Sequence, residues 1–443
     1  MRSRPKLAPA LLLALILPGC GGGGDSPTDP TQTGDTCSTN GQVTFVRDTL
    51  QLWYFWYKNL PTPDLAGFSS PEAYLEAVRY KPLDTSFSYV ANKAESDAFF
   101  SESQFIGIGL STRQTGTSEL RVSQVFPGSP AADAGLARGD FLLSIGGKAV
   151  ADLLRTGEIN TIFGPNTAGV AVSVSWQSFL EGDTRSASLT KRAVTIPTVS
   201  STSVIAQRRG PRVGYVFFRN FVTPSTAALN TAFQTLKDEG AEELVLDLRY
   251  NGGGLVSVAR HLGSLIGGEA TNGQVFVEFF HNDKQTTRNS IQRFDLPTAA
   301  LGFSRLVVIT TRGSASASEG VINGLRPFMP VTVVGDATYG KPVGQYGFDF
   351  CDKTLFPVAF ETRNARGDGN FYGGFPAECA AGDDLDHEIG DPEEASLAEA
   401  LEYVRTGSCT AGAAAAARSH AGRRASFGDG LPTDGFRQLI GAY

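Results

Sequence analysis

Residues 306–320 read LVVITTRGSASASEG, and this stretch joins a strand, a turn and a helix. Leu306–Thr310 is an unbroken apolar run, which is typical of a parallel strand buried on both faces. The small residues that follow predict a tight turn before a helix. A serine at such a junction is exposed, and the helix N-terminus offers N–H groups to a developing oxyanion. Because Ser314, Ser316 and Ser318 all occupy the turn, position alone does not identify a nucleophile.

A nucleophilic serine requires a base, and the sequence favours a lysine over a histidine. None of the four histidines lies in a motif typical of a Ser-His-Asp triad. Lys341 lies in the segment 337–345, ATYGKPVGQ, directly after the apolar run 331–334. Lowering the pKa of a lysine from its solution value to near 7 takes about three pH units, or roughly 4 kcal/mol. We therefore expect Lys341 to occupy a dry, structured pocket.

Strands and helices alternate around this stretch and predict an α/β core. Strands are expected at 213–218, 243–248 and 331–334, and helices at 225–238 and 255–266. A final helix is expected to open at Asp391, with this residue as its N-cap and proline in its first turn.

A second pattern begins near residue 101. Gly107, Ile108, Gly109 and Leu110 form a glycine-punctuated apolar loop; the segments PGSPAADAGL and GDFLLSIGG follow at 127–136 and 139–147. Glycines allow consecutive N–H groups to converge on a terminal carboxylate, beside which a peptide adds as a strand. The three elements in this order resemble a PDZ domain of bacterial proteases, which implies that these four residues bind peptide C-termini.

Three motifs together resemble the C-terminal processing peptidases, which are tail-specific serine peptidases. They are GSASASE at 313–319, TYGKPVGQ at 338–345 and LDLRYNGGG at 246–254. The resemblance implies a crotonase-like or Clp-protease-like α/β core. It assigns Ser316 as nucleophile, Lys341 as base and Gln345 as the residue that orients the lysine. It also implies an oxyanion hole formed by the N–H groups of Ala317 and Gly253, with Gly254 as the alternative to Gly253.

The chain departs from the family pattern at two positions beside the base. Tyr339 replaces phenylalanine, which is a mild change, and Pro342 replaces glycine. A proline fixes φ and removes an N–H group, so it bears on the geometry of the loop that carries Lys341. The main alternative to a peptidase is a non-catalytic peptide- or ligand-binding lipoprotein built on the same fold. The retention of serine, lysine and glutamine at the expected spacings argues against that alternative.

The N-terminus reads as an export signal. A basic start precedes the apolar run 7–17, which is too short to span a bilayer comfortably. The run ends in Leu17-Pro18-Gly19-Cys20, which resembles the lipobox of bacterial lipoproteins and implies lipidation at Cys20. Simple signal-peptidase cleavage near Gly19 is the alternative. We expect an exported protein on the periplasmic side of the cell envelope, lipid-anchored to the outer membrane.

Composition sets further bounds on the chain of 443 residues. The formal net charge of -7 and the lack of a long basic run argue against a nucleic-acid partner. Cys37, Cys351, Cys379 and Cys409 remain after Cys20 and are compatible with two disulfides in any of three pairings. Their spacing does not suggest a metal site, and we expect neither a metal nor a cofactor. The expected partners are proteins or peptides with free C-termini.

Six segments are expected along the chain. They are a lipoprotein signal peptide (1–20), a flexible tether (21–40), an N-terminal helical domain (41–100), a PDZ-like domain (101–190), a serine peptidase catalytic domain (191–410) and a low-complexity tail (411–443). In the helical domain, helices are expected within 43–57 and from Pro71, with Ser70 as the cap of the second. No catalytic cluster is visible there, and no element is assigned to the tail.

Overall fold

A computed structural model describes residues 37–208, 210–420 and 443 of the chain. The signal peptide, Cys20 and the tether up to residue 36 lie outside the described residues. The N-terminal region contains α1 (Thr39–Trp53), α2 (Pro71–Val78), β1 (Tyr89–Asn92) and α3 (Lys93–Glu102). Helix α2 begins at Pro71, as expected, and has the expected cap, since Ser70 Oγ accepts a hydrogen bond from the N–H of Ala73. Helix α1 begins at Thr39, inside the segment expected as tether, because Ser38 caps it.

The next region is a five-stranded antiparallel sheet with a short additional strand. Its elements are β2 (Gln104–Gly107), β3 (Leu110–Gln114), β4 (Leu120–Val125), α4 (Pro130–Asp133), β5 (Phe141–Ile145), β6 (Lys148–Ala149), α5 (Val150–Thr156), β7 (Ala171–Gln177), β8 (Thr184–Thr190) and β9 (Arg192–Thr195). The strand order is β3-β4-β5-β7-β8, with β6 paired to β5, while β2 pairs with β9. Ile108, Leu142 and Trp176 belong to the core of this region.

The third region is built on a six-stranded sheet with the order β10-β11-β12-β15-β16-β21. Its strands and those beside it are β10 (Val199–Ala206), β11 (Arg212–Phe218), β12 (Glu243–Asp247), β13 (Val275–His281), β14 (Ser290–Arg293), β15 (Leu306–Thr310), β16 (Val331–Gly335), β17 (Val343–Gln345), β18 (Phe348–Phe350), β19 (Lys353–Phe356), β20 (Val358–Arg363) and β21 (Cys379–Ala380). All neighbouring pairs in the six-stranded sheet are parallel except β10–β11.

Helices cover both faces of the six-stranded sheet, which makes the third region a three-layer α/β fold. The helices are α6 (Ser225–Asp238), α7 (Val256–Gly267), α8 (Ala317–Leu325), α9 (Ala395–Thr406) and α10 (Ala411–His420). Apolar residues of α6, α7 and α8 pack on one face, and those of α9 pack on the other. Successive residues of β15 join the two cores alternately, since Val308 contacts one and Val307 the other. This alternation explains why the central strands are apolar throughout.

Two expectations about the C-terminal part require correction. Glu394, not Asp391, caps α9, because its side chain accepts a hydrogen bond from the N–H of Leu397 at 3.0 Å. Asp391 instead accepts from the N–H of Glu393 in the preceding turn. The segment 411–443, to which the sequence assigned no element, begins with helix α10, and Ala413 is buried in the core beneath α9.

The N-terminal region is joined to the third region by strand pairing and by a disulfide. Strand β1 pairs with β19, and β18 completes this three-stranded sheet. Cys37 is bonded to Cys351, and Cys379 to Cys409, which settles the pairing that the sequence left open. A four-stranded sheet, β14-β13-β20-β17, lies beside the main sheet and carries Gln345 at the end of β17. Within the described ranges, helices that could cross a bilayer are absent.

Candidate active site

Only one of the three serines in the turn lines a cavity. Ser314 is buried and donates a hydrogen bond to the carbonyl oxygen of Leu248 (2.8 Å), and Ser318 is buried and donates to that of Asn251 (2.9 Å). Ser316 is partly exposed and lines a cavity of about 330 Å³. Its backbone has φ 55° and ψ -111°, a strained conformation for a residue with a side chain. The turn therefore presents Ser316 to the cavity and uses the other two serines to hold itself in place.

Lys341 lines the same cavity as Ser316. Its Nζ donates a hydrogen bond to Gln345 Oε1 at 2.5 Å and lies 5.8 Å from the centre of the Phe87 ring. Burial lowers the pKa of Lys341 to about 8, against the opposing effect of the carboxylates of Asp84 and Glu319. About a tenth of the amines is therefore neutral near pH 7, and this neutral form is the one that can accept a proton.

Gln345 is held in a single orientation by its amide nitrogen. Nε2 donates to the carbonyl oxygens of Phe87 (2.7 Å) and Phe356 (2.6 Å). With both N–H groups directed at carbonyl oxygens, Oε1 is the atom that faces Lys341. The side chain that the family resemblance assigned to orienting the lysine is thus placed to accept a hydrogen bond from it.

Glu319 connects the serine turn to the lysine loop, a role that the sequence did not reveal. Its wholly buried carboxylate accepts hydrogen bonds from the N–H of Ser316 (2.9 Å), from the N–H of Gly340 (2.7 Å) and of Lys341 (2.8 Å), and from Thr338 Oγ1 (2.6 Å). Burial raises the pKa of Glu319, while these four donors oppose the rise.

The N-terminal region completes the wall around Lys341. The buried carboxylate of Asp84 accepts from the N–H of Phe87 (2.8 Å), from the N–H and hydroxyl of Ser88 (3.0 and 2.6 Å) and from the hydroxyl of Tyr54 (2.9 Å). These bonds fix the loop whose Phe87 carbonyl oxygen accepts from Gln345. No motif marked this loop, because its partners in the site lie about 250 residues further along the chain.

The expected oxyanion donors differ in whether their N–H groups are available in this structure. The N–H of Ala317 is the first of helix α8, and Ala317 lines the cavity, so this group fits the role. The N–H of Gly253 instead donates to Asn251 Oδ1 at 2.9 Å, so in this structure it is engaged within its own loop. Gly253 itself lies against the serine turn, where a Cβ would come within 2.8 Å of Ser316 Cβ. Gly254, the alternative, lines the cavity.

The four residues of the PDZ loop join strands β2 and β3: Gly107 ends β2, Ile108 and Gly109 connect the two strands, and Leu110 begins β3. Ile108 accepts a hydrogen bond at its carbonyl oxygen from the N–H of Ala131 (2.9 Å), which anchors the loop to helix α4. The N–H groups of Gly109 and Leu110 both donate to the main-chain oxygen of Tyr443. The N–H groups of Gly109 and Leu110 thus converge on one acceptor.

A buried ion network links the PDZ domain to Arg249, which lies in the loop before Gly252. Asp383 is 1% exposed and pairs with Arg138 and Arg113 of the PDZ domain and with Arg249. The three guanidinium groups hold the pKa of Asp383 well below its usual range, against the effect of burial. Asp383 is therefore a structural ion-pair partner. Arg249 also binds Glu394 and so connects two loops.

Of the described residues, one group combines several potential metal ligands at close range: Cys379, Glu399 and Cys409. The two sulfur atoms are bonded to each other, and Glu399 accepts hydrogen bonds from Thr410. This group is therefore a disulfide beside a capped loop and does not offer thiolates to a metal.

Comparison with known proteins was made by domain and by whole chain. The family described as Peptidase family S41 matches residues 212–369, the Peptidase S41 N-terminal domain matches residues 41–89, and a PDZ domain matches residues 121–159. In solved structures, the fold is similar to that of a Bacteroides fragilis protein assigned to the S41 proteases, with a TM-score of 0.65 at 24% identity, over 81% of this chain and 96% of that one.

Two curated relatives carry functional names. The chloroplastic C-terminal processing peptidase of Tetradesmus obliquus is 32% identical over 263 residues, which cover 56% of this chain and 53% of that protein. The carboxyl-terminal-processing protease of a Synechocystis strain is 29% identical over 250 residues, covering 56% and 55%. The chain thus spans about half the length of the curated relatives it matches.

Proposed function

Because the chain belongs to peptidase family S41, with the N-terminal domain of that family and a PDZ domain, we propose that it is a serine endopeptidase that cleaves exported proteins captured by their C-termini. The observation that carries the proposal is the shared cavity of Ser316 and Lys341, in which burial lowers the pKa of the lysine to about 8. A serine without a histidine requires a base of this kind.

The reaction follows acyl-transfer chemistry. Ser316 Oγ attacks the carbonyl carbon of the scissile peptide bond while its proton passes to the neutral amine of Lys341. The N–H of Ala317, at the start of α8, stabilises the negative charge on the former carbonyl oxygen. Collapse breaks the C–N bond, and Lys341 returns the proton to the departing amine. The acyl-enzyme ester is then hydrolysed by a water that gives its proton to the same lysine.

The hydrogen bonds around the site support this assignment of roles. Gln345 accepts from Lys341 Nζ and so fixes the position of the amine. Glu319 binds the backbones of both Ser316 and Lys341, so that neither group can shift without the other. Pro342 is compatible with this arrangement, since its carbonyl oxygen accepts from the N–H and hydroxyl of Thr362 while the backbone N–H of Lys341 is bound by Glu319.

The test of the proposal is the pattern of cleavage products from a disordered protein substrate. Wild-type protein should generate new termini that mass spectrometry identifies, whereas Ser316→Ala and Lys341→Met should reduce their formation by at least about a thousandfold. Lys93→Met, at a lysine whose side chain is 39% exposed and does not line the cavity, is the matched control and should retain full activity. Circular dichroism establishes that each variant is folded. Undiminished cleavage by Ser316→Ala would refute Ser316 as the nucleophile, and no cleavage by the wild type would support the non-catalytic alternative.

We also propose export and lipid anchoring at Cys20, which lies outside the described residues. Two disulfides in the described part of the chain support an oxidising compartment. In cells fed an alkyne-tagged fatty acid, the wild-type chain should acquire the label, and Cys20→Ala should not. Label retained by Cys20→Ala would refute anchoring at this residue.

A further inference from the structure

Tyr443, the last residue of the sequence, lies in the peptide groove of the PDZ domain. Its main-chain oxygen accepts hydrogen bonds from the N–H groups of Gly109 (2.7 Å) and Leu110 (3.3 Å), and its own N–H donates to the carbonyl oxygen of Leu110 (2.8 Å). Two converging donors and one returning N–H are the contacts with which a peptide end adds beside a strand. The loop predicted to bind the C-termini of substrates therefore holds a residue of the same chain.

The side chain of Tyr443 fills an aromatic pocket in the PDZ core. Its ring stacks on that of Phe163, with centroids 4.1 Å apart and planes inclined by 21°. Only 7% of the residue is exposed, and Leu153 and Ile159 belong to the same cluster. Burying a ring of this size contributes roughly 1.5–3 kcal/mol, and stacking adds to it. The pocket thus matches an aromatic side chain in both size and geometry.

Gly107 allows this close approach. A Cβ at this position would come within 2.6 Å of the carbonyl carbon of Tyr443, closer than real atoms approach. The absence of a side chain at residue 107 therefore leaves room for the main chain of the bound residue. One site is therefore formed by the space at Gly107, the N–H donors of Gly109 and Leu110 and the pocket beside Phe163. Tyr443 occupies this site.

We propose that this groove selects polypeptide ends whose last side chain is aromatic, and that Tyr443 of this chain occupies it in competition with substrates. The inference rests on the proposed function, in which the PDZ domain captures substrate C-termini. An occupant on the same chain acts at a high effective concentration, so an incoming end must displace it. Displacement by a better-matched or more abundant end would then be a condition for capture.

The first test measures hydrogen exchange at the loop. In the full chain carrying Ser316→Ala, the amides of Gly109 and Leu110 should be protected, because both donate to Tyr443. Adding Tyr443→Ala should speed exchange at these two amides by roughly tenfold or more, whereas adding Tyr443→Phe should leave it unchanged. The amide of Ala131, which donates to Ile108, is the internal control and should exchange equally in all three proteins.

The second test measures binding of labelled peptides by fluorescence anisotropy. The probe is RQLIGAY, the sequence of residues 437–443, and the control peptide is RQLIGAA. The Ser316→Ala, Tyr443→Ala protein should bind the probe at least about tenfold more tightly than Ser316→Ala alone, because the competing end is removed. It should bind the alanine-ended peptide at least about tenfold more weakly than the probe, because the ring is absent.

The two halves of the inference can fail separately. Equal exchange and equal probe affinity with and without Tyr443→Ala would overturn occupancy by the chain's own end. Equal affinity for both peptides would overturn the aromatic preference. Neither result depends on proteolysis, because the nucleophile is removed in every protein used. Cleavage by the wild type, measured as described above, tests the peptidase function independently.

Discussion

At the residue scale, the proposed mechanism depends on the charge of Lys341. Its amine lies in a cavity walled by aromatic rings and contacts an amide oxygen rather than a carboxylate. The ammonium form of Lys341 therefore loses its hydrating water and gains only a neutral acceptor, with no carboxylate at hydrogen-bond distance. This loss of hydration lowers the pKa of Lys341. The residues that supply this environment, Gln345 and Phe87, belong to separate regions of the chain.

The pH dependence of activity follows from the direction of this shift. Burial lowers the pKa of Lys341 to about 8, and only the neutral amine accepts a proton from Ser316. Below this value, kcat/KM should fall about tenfold for each pH unit, and above it the rate should level off. The measurement is the pH profile of kcat/KM with a peptide substrate between pH 5.5 and about 9.5.

A histidine base would give a different profile. His281 donates or accepts a hydrogen bond with the hydroxyl of Tyr346, which lines the cavity, and burial lowers the pKa of His281 below its usual value. A break below about pH 6.5 that disappears in His281→Phe would therefore contradict the lysine mechanism. The expected result is a break near pH 8 in both proteins.

At the scale of elements, the sequence predicted helices and strands that depend on neighbouring residues. It did not predict contacts between segments that are far apart in the chain. Helix α6 and strand β15 have the expected bounds, since each depends on its own apolar pattern and flanking residues. The turn at 313–319, which carries the candidate nucleophile, was also predicted from the sequence. The role of the loop 84–88 was not predicted. In the sequence, Asp84 resembles any aspartate in a turn, and only the fold shows that it binds the N–H of Phe87 and that the Phe87 carbonyl oxygen accepts from Gln345.

The loop 84–88 is expected to be as important for catalysis as a catalytic motif. Asp84→Ala removes the acceptor for four buried donors, so the free energy of unfolding should fall by roughly 3 kcal/mol. Because the Phe87 carbonyl oxygen also orients Gln345, kcat should fall by about tenfold or more even where the protein remains folded. Urea denaturation and steady-state kinetics at 15 °C measure the two effects.

Asp283→Ala is the matched control for this prediction. Asp283 is an exposed carboxylate that contacts Tyr57 and Lys58, also in the N-terminal region, and exposed pairs contribute little. Neither stability nor kcat should change in this variant. A loss of stability in Asp84→Ala with unchanged kcat would show that the loop supports the fold without positioning the base.

At the scale of the whole molecule, two regions form the candidate active site and the PDZ domain contacts a loop beside it. The N-terminal region supplies the carbonyl oxygen of Phe87, and the third region supplies Ser316, Lys341 and Gln345. Arg138 of the PDZ domain donates a hydrogen bond to the hydroxyl of Tyr250 (3.0 Å), which lies in the loop directly before Gly252. The sequence indicated the three regions, but their contacts depend on side chains separated by more than 100 residues.

The contact through Arg138 predicts that the PDZ domain affects the rate of catalysis as well as substrate capture. Arg138→Met removes the hydrogen bond to Tyr250, the residue directly before Asn251, and withdraws one cation from Asp383. Asn251 accepts from Gly253 and, through its carbonyl oxygen, from Ser318 and the N–H of Ala315. A shift of this loop would displace both the glycines and the serine turn, so kcat should fall roughly tenfold to a hundredfold.

Arg113→Met separates this effect from the general loss of an ion pair. Arg113 also pairs with Asp383 from the PDZ domain, at 2.7 Å, but its side chain is 31% exposed and Arg138 still contacts Tyr250 in that variant. Its kcat should therefore fall much less than that of Arg138→Met, while the affinity of the PDZ groove for a peptide stays the same in both. Equal losses of kcat would mean that the charge of Asp383, rather than the contact with Tyr250, connects the PDZ domain to the site. The comparison thus tells whether the coupling runs through one hydrogen bond beside the glycine loop or through the ion network as a whole.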